Sequence, residues 1–261
     1  MRRVIDFNSR PTDALPEQGP IPAPQTFRDF YAFEAHVATC RAKRGLPMDP
    51  AWYAQPAFYF SNPLGLIGAD VPVFAPRSCE ELDYELELGL VIGRGGRDIR
   101  REDSWKHVAG ITIVNDFSAR DLQRREMSVG LGPAKSKDFA TAVGPWLVTL
   151  DEVMDRIDGE GRLHLEMAAR VNGKELSRGN VSSMYFTWPQ VIEHASRDAM
   201  LAAGDLLGSG TVGTGCILEL GPENAGGWLK PGDVVELEIE RIGVLRTPIV
   251  ARPESGGTET R

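Results

Sequence analysis

LDYELELGLVIG, residues 82–93, decides the fold. Tyr84, Leu86, Leu88, Leu90 and Ile92 fall on one parity and Glu85 and Glu87 on the other. A period of two puts successive side chains on opposite faces of a strand. Working outward, GITIVND (110–116) is an apolar run of strand length that ends in polar residues, and VVELEIERI (234–242) alternates again. LHLEMAARV (163–171) leads into Asn172-Gly173, a dipeptide that favours a tight hairpin turn because both residues tolerate positive φ. Upstream, Thr26 reads as the N-cap of a helix, with Asp29 three positions on in capping-box style and Gly45 and Pro47 closing it. A further helix is expected around 189–203. The five prolines within residues 1–25 predict an extended N-terminal arm, leaving 26–261 as a single domain. Many short strands with a few helices give an α+β, β-rich class with mostly antiparallel sheets.

With 42% hydrophobic and 25% charged residues, the 261-residue chain is neither disordered nor fibrous. Its net charge of −8 leaves no basic footprint for nucleic acid, so an anionic substrate would need cations concentrated locally. Cys40, Cys79 and Cys216 are odd in number and without CxxC spacing, which argues against a disulfide framework and a zinc-thiolate site. MRRVIDFNSRP lacks the apolar core of a signal peptide, and no run approaches the ~18 apolar residues of a membrane span, so a cytoplasmic protein without a membrane partner is expected.

GSGTVG (208–213) matches the GxGxxG dinucleotide pattern. That pattern needs a following helix, and TGCILEL reads as a strand, so dinucleotide binding is rejected. The carboxylates are more informative. Glu85 and Glu87, two apart on a strand, stand roughly 6.5–7 Å apart on one face, a separation suited to holding a divalent cation between them. A solvent-facing strand is the plainer reading, and Glu236, Glu238 and Glu240 show the same alternation. Asp116 ends its strand either as a ligand or as an N-cap for Ser118–Gln123, a turn that would bring Arg120 and Gln123 to one face. Asp29 and His36, seven apart on the expected helix, share a face; Asp29 also suits a cap. His107, His164 and His194 lie in segments without other chemistry, so His36 is the candidate base by elimination.

Six segments, RDFYAFEAH (28–36), PAFYFSN (56–62), LDYELELGLVIG (82–93), NDFSARDLQ (115–123), KSKDFATAVGPWLV (135–148) and GDLLGSGTVGTGCILEL (204–220), occur in the order found in the fumarylacetoacetate hydrolase family, which the chain resembles over about 26–248. The resemblance implies a mixed β-sandwich roll with a few peripheral helices. It implies a divalent cation (Mg²⁺, Mn²⁺ or Ca²⁺) held by Glu85, Glu87 and Asp116, with Asp29 as a further ligand. By the same resemblance His36 is the catalytic base paired with Glu219, and Lys137 and Gln123 face the oxyanion. Arg120, Tyr31, Tyr59 and Thr211 contact substrate, and either Arg41 or Arg44 matches a further substrate arginine.

The implied activity is hydrolysis of a C–C bond in a 1,3-diketo acid, fumarylacetoacetate- or acylpyruvate-like. His36 would activate water, and the departing carbanion would be stabilised as an enolate on the cation. The alternative within the family is a decarboxylase, hydratase or isomerase acting on a 2-oxo acid. A non-catalytic, metal-stabilised scaffold is the reading from another class; it would be marked by loss of His36 or Lys137, and both are present. A homodimer is also implied, with Trp146, Tyr185, Phe186 and Trp188 placed either in its interface or in the core.

Overall fold

The computed structural model describes residues 4–5 and 24–252. In chain order its strands are β1 Val4–Ile5, β2 Phe27–Phe30, β3 Phe58–Ser61, β4 Leu66–Ile67, β5 Leu82–Asp83, β6 Leu86–Ile92 and β7 Val108–Asp116. There follow β8 Ser118–Ala119, β9 Thr141–Thr149, β10 Glu166–Val171, β11 Lys174–Asn180, β12 Leu206–Gly208, β13 Val234–Ile239 and β14 Gly243–Pro248. The α-helices are α1 Glu34–Lys43, α2 Arg120–Ser128, α3 Trp188–Ser196 and the single turns α4 Ile217–Leu220 and α5 Pro222–Ala225.

Among the described residues an eight-stranded sheet runs β1-β9-β7-β6-β12-β2-β3, with β4 beside β9. Its pairs are antiparallel except β12–β2 and β4–β9, which are parallel. A four-stranded antiparallel sheet, β11-β10-β13-β14, packs against it. The core fills the space between them: Leu86, Leu88, Leu90, Ile92, Ile111 and Ile113 meet Met167, Ala169, Val235, Leu237, Ile239 and Leu245. Each side contributes one parity of its strands, the alternation that the sequence displays. On the outer face of the large sheet Phe27, Val91, Val114, Val143, Leu147 and Leu206 form a second apolar cluster. This α+β, β-rich architecture is the expected one.

The Asn172-Gly173 turn joins β10 to β11 with φ of 54° and 76°, as its sequence predicts. Four local expectations are corrected. The helix read from Thr26 begins only at Glu34, because Phe27–Phe30 pairs on both sides, with β12 and β3, and buries all four residues. Asp29 is therefore a strand residue and does not share a helix face with His36. CILEL, read as a strand, contains the turn α4, whose N-cap is Cys216. Asp116 is not a cap, since α2 starts at Arg120 with Ala119 before it. The helix placed at 189–203 is the shorter α3, opened by a Thr187–Gln190 capping box. The 1–25 arm lies almost wholly outside the described residues. Trp188 and Phe186 are buried in the core, whereas Tyr185 is exposed.

Candidate active site

The outer face of the large sheet changes from apolar to acidic along its strands. Directly opposed residues share a face, so the register fixes the arrangement: Glu87 faces Val114, Asp116 faces Thr141, Gly208 faces Asp29 and Gly89, and Asp29 faces Tyr59. Asp29, Glu87 and Asp116 meet there, fully buried, with one carboxylate oxygen of each within 4.8 Å of the others. Glu85 and Glu87 are 4% and 1% exposed, which removes the solvent-facing reading of this strand. On β13, by contrast, Glu236 and Glu238 remain partly exposed, and Glu238 pairs with Arg170.

The cluster is braced by hydroxyls. Tyr59 donates to Asp116 and lies 3.2 Å from Asp29 Oδ2, Thr141 donates to Asp116 at 3.2 Å, and Thr211 donates to Glu87 at 3.3 Å. Two buried oxygens, Asp29 Oδ1 and Glu87 Oε2, have no hydrogen-bond partner. Both face Gly208, where a Cβ would collide with the first and crowd the second. Burial, followed by the charge of Asp116, pushes the Asp29 carboxyl up to about 8. Burial with Asp29, Glu85 and Asp116 around it holds Glu87 well above the carboxylate range. Clustered, orphaned carboxylate oxygens of this kind are a donor set for a hard divalent cation, so the residues fit the cation that the resemblance implies.

Glu85 has a different fate. It stands outside the three-carboxylate group and is gripped by Arg120 Nη2 at 2.7 Å and Lys137 Nζ at 2.5 Å. Burial opposes its charge, but Lys137, Arg120 and His36 overcome that and hold it below the usual carboxylate range. Lys137 also reaches Asp116 at 2.5 Å, bridging the two groups of acids. Arg120 has three of its donors committed, Nε to Asp83, Nη2 to Glu85 and Nη1 to Gln123.

His36 lies on the first turns of α1, where its Nδ1 is 2.6 Å from Glu219 Oε1. Glu219 is fixed by α4, and its second oxygen accepts the Thr214 N–H at 3.0 Å. Burial works against protonation of His36, but Cys216, Cys40 and Glu219 outweigh it and raise its pKa well above 6.5. Tyr31 packs edge-on to the imidazole with centroids 5.4 Å apart.

A cavity of about 670 Å³ joins these groups; Asp29, Glu85, Glu87, His36, Tyr31 and Lys137 are among its walls. Tyr59, Arg120, Gln123 and Thr211 line it too, while Asp116 and Glu219 lie behind its surface. Arg44 also lines it, whereas Arg41 turns to the Pro47 carbonyl, so of these two arginines Arg44 is the one at the cavity. Asp83 is a participant that the motif reading passes over. It accepts the Ile217 and Leu218 N–H groups at 2.7 and 3.0 Å and the Arg120 guanidinium at 2.8 Å, so it ties the Glu219 turn to the residues that hold Glu85. Its signal was parity: residues 83, 85 and 87 are acidic at a spacing of two.

Comparison with known proteins bears on family and fold. Residues 25–250 match the family described as fumarylacetoacetate (FAA) hydrolase, C-terminal. Over 198 residues, 74% of this chain and 61% of the relative, it is 36% identical to the oxaloacetate tautomerase YisK of Bacillus subtilis. It is 35% identical over 196 residues to a 2,4-didehydro-3-deoxy-L-rhamnonate hydrolase of Sphingomonas, spanning 75% of this chain and 65% of that one. The match thus spans roughly three fifths of the length of these relatives. The fumarylacetoacetate hydrolase of Exiguobacterium antarcticum superposes with a TM-score of 0.70 at 30% identity, covering 88% of this chain and 76% of that one. Fold, ordered motifs and relatives converge: the chain belongs to the fumarylacetoacetate hydrolase family.

Proposed function

We propose that the chain is a hydrolase that cleaves a C–C bond in a small 1,3-diketo acid of the acylpyruvate or fumarylacetoacetate type. The observation that carries the reading is the buried His36–Glu219 pair on the wall of the cavity that holds the carboxylates. Bond cleavage by water needs a base beside the electrophilic carbon, and a histidine whose Nδ1–H is held by a carboxylate presents Nε2 for that purpose. Glu87, Asp116 and Asp29, with Glu85 adjacent, are the residues that would hold Mg²⁺, Mn²⁺ or Ca²⁺. Such a cation, bound there, supplies Lewis-acid polarisation of the substrate oxygens.

The remaining roles follow from hydrogen-bond capacity. Lys137 spends two of its three donors on Glu85 and Asp116 and keeps one for an oxyanion beside them. Gln123 accepts from Arg120 through Oε1, which leaves its NH₂ to donate toward the same oxygen. Arg120 works through Glu85 and Gln123, and Tyr59 and Thr211 orient the acids. Arg44 at the rim suits the distal polar end of the substrate. Turnover of an acylpyruvate panel with Mg²⁺ or Mn²⁺ present, read as the appearance of two acids, tests the reading. His36→Ala should abolish hydrolysis and leave cation binding intact, and hydrolysis that survives would remove His36 from this role.

The second reading is a keto–enol tautomerase acting on an oxaloacetate-like acid, and the similarity to the Bacillus protein favours it. It needs a proton relay and no attacking water, so oxaloacetate enol consumed with no acid pair from the panel would select it. A homodimer is proposed on the resemblance alone.

A further inference from the structure

The pair His36–Glu219 is enclosed by sulfur. Cys216 Sγ lies 3.7 Å from Glu219 Oε1, and Cys40 Sγ lies 3.7 and 3.9 Å from the two ring nitrogens of His36. His36, Cys216 and Glu219 each offer a ligand atom within 4.8 Å of the others, and this group shares no residue with the Asp29–Glu87–Asp116 cluster. All three cysteines are free. Cys40 is close to equidistant from both ring nitrogens, a position off the Nε2 lone-pair direction, so it does not form a nucleophile–base pair with His36.

We propose that His36 Nδ1, Glu219 Oε1 and Cys216 Sγ form an inhibitory three-ligand site for Zn²⁺, with solvent from the cavity completing the tetrahedron. The all-oxygen cluster selects hard cations, whereas a set containing thiolate and imidazole selects a borderline one, so the two sites sort metals by chemistry. Bonds of about 2.0–2.3 Å in a tetrahedron put neighbouring ligands about 3.3–3.8 Å apart. The Cys216–Glu219 separation of 3.7 Å matches this, and the 2.6 Å His36–Glu219 contact has to open by about 0.7 Å as the ion takes the place of the shared proton. Burial keeps the Cys216 thiol neutral, with its pKa raised to about 12. Coordination therefore releases the thiol proton to solvent and leaves the imidazole neutral with its one proton on Nε2, a ring proton being released only when the ion binds the imidazolium, and no redox step is involved. His36 and Cys40 line the cavity, which gives the ion its approach. The odd cysteine count and missing CxxC spacing argue against a zinc-thiolate site, but spacing does not register residues that meet only in the fold. This one is assembled by folding from α1 and α4.

The consequence is inhibition by capture of the base. That arm rests on the role proposed above for His36, while binding itself does not. In the Mg²⁺-loaded protein, Co²⁺ used as a spectroscopic substitute should give a thiolate-to-cobalt charge-transfer band in the near ultraviolet, and Cys216→Ser should remove it. Zn²⁺ should abolish that band by competition and lower turnover at least tenfold. Excess Mg²⁺ should not relieve the loss, and a zinc-selective chelator should reverse it. The turnover that Cys216→Ser keeps should be insensitive to zinc. A wild-type protein that binds Co²⁺ with no thiolate band overturns the proposal even where the serine variant fails to fold. So does zinc inhibition relieved by Mg²⁺, which would place the ion among the carboxylates. A band without turnover on any substrate leaves the site standing and removes the proposed activity alone.

Discussion

Asp83 touches neither the carboxylate cluster nor His36, yet its removal should disable the base. In Asp83→Ala the Ile217 and Leu218 N–H groups lose their acceptor and Arg120 loses one of two buried carboxylates. Breaking a buried ion pair costs about 3–5 kcal/mol, and an orphaned buried donor about 1–3 kcal/mol. Arg120 keeps Glu85 and Leu218 N–H is only part-buried, so the low end applies, and the contributions are not independent. The expected destabilisation is therefore about 4 kcal/mol, or a melting temperature lower by about 8–16 °C at this chain length. Asp83→Asn keeps an acceptor for one helix N–H and should lose about half as much. Because the turn held by Asp83 carries Glu219, displacement of the His36 partner by about 1 Å should lower kcat on the order of 100-fold. The cation cluster and cavity mouth remain in place, so KM and Mn²⁺ affinity should move less than threefold. Calorimetry, steady-state kinetics on the acylpyruvate that turns over fastest, and Mn²⁺ titration read the three quantities. Full kcat in a destabilised variant would refute the link from Asp83 to the base, and a parallel loss of Mn²⁺ affinity would show general loosening instead.

In the cation-free protein the Asp29 carboxyl titrates at about 8 against its usual 3.8, so the stability it contributes is complete below 3.8 and is lost as pH rises toward 8. Glu87 acts in the same direction. The melting temperature should fall across that range, and Mg²⁺ at 100 times its Kd should restore about 2.7 kcal/mol, or about 5–11 °C; a rise with pH before cation is added would contradict the cluster electrostatics. His36 must be neutral to act as a base, and its raised pKa places the acid limb of kcat above 6.5. Glu219→Gln removes one of the groups that raise it, so the limb should move to lower pH while kcat falls about 10- to 100-fold; an unmoved limb would dissociate Glu219 from the base. Gly208→Ala should weaken Mn²⁺ binding at least tenfold by driving a methyl against Asp29 and Glu87, and unchanged affinity would show that the orphaned oxygens are not ligands.

The alternation at 82–93 located β6, its core face and two buried acids because period two is written in the residues themselves. The segment Thr26–Phe30 misled for a complementary reason. Its capping pattern is local, whereas the strands that claim Phe27–Phe30, β12 and β3, are supplied by other parts of the chain, and pairing on both edges outweighs a cap worth about 1 kcal/mol. The glycines of 208–213 were similarly ambiguous. The GxGxxG pattern opens neither a strand nor a long helix, since only the single turn α4 follows from Ile217, and the use of Gly208 is to give room to two carboxylates.

Residue types alone could not say which acids gather and which are paired off. Glu85 and Glu87 are equivalent on the strand, and both are buried. One meets Arg120 and Lys137 and is held charged; the other meets Asp29 and Asp116 and is pushed toward neutrality. The difference comes from partners on α2, the segment before β9, β2 and β7, which only the sheet order brings together. Without Lys137 and Arg120, Glu85 would join the mutual repulsion, and four buried acids would compete for one region of low dielectric. The two cations thus confine the unpaired charge to Asp29 and Glu87, with Asp116 shared between Lys137 and the cluster, and a cation there is favoured because it removes a repulsion that the fold has already imposed.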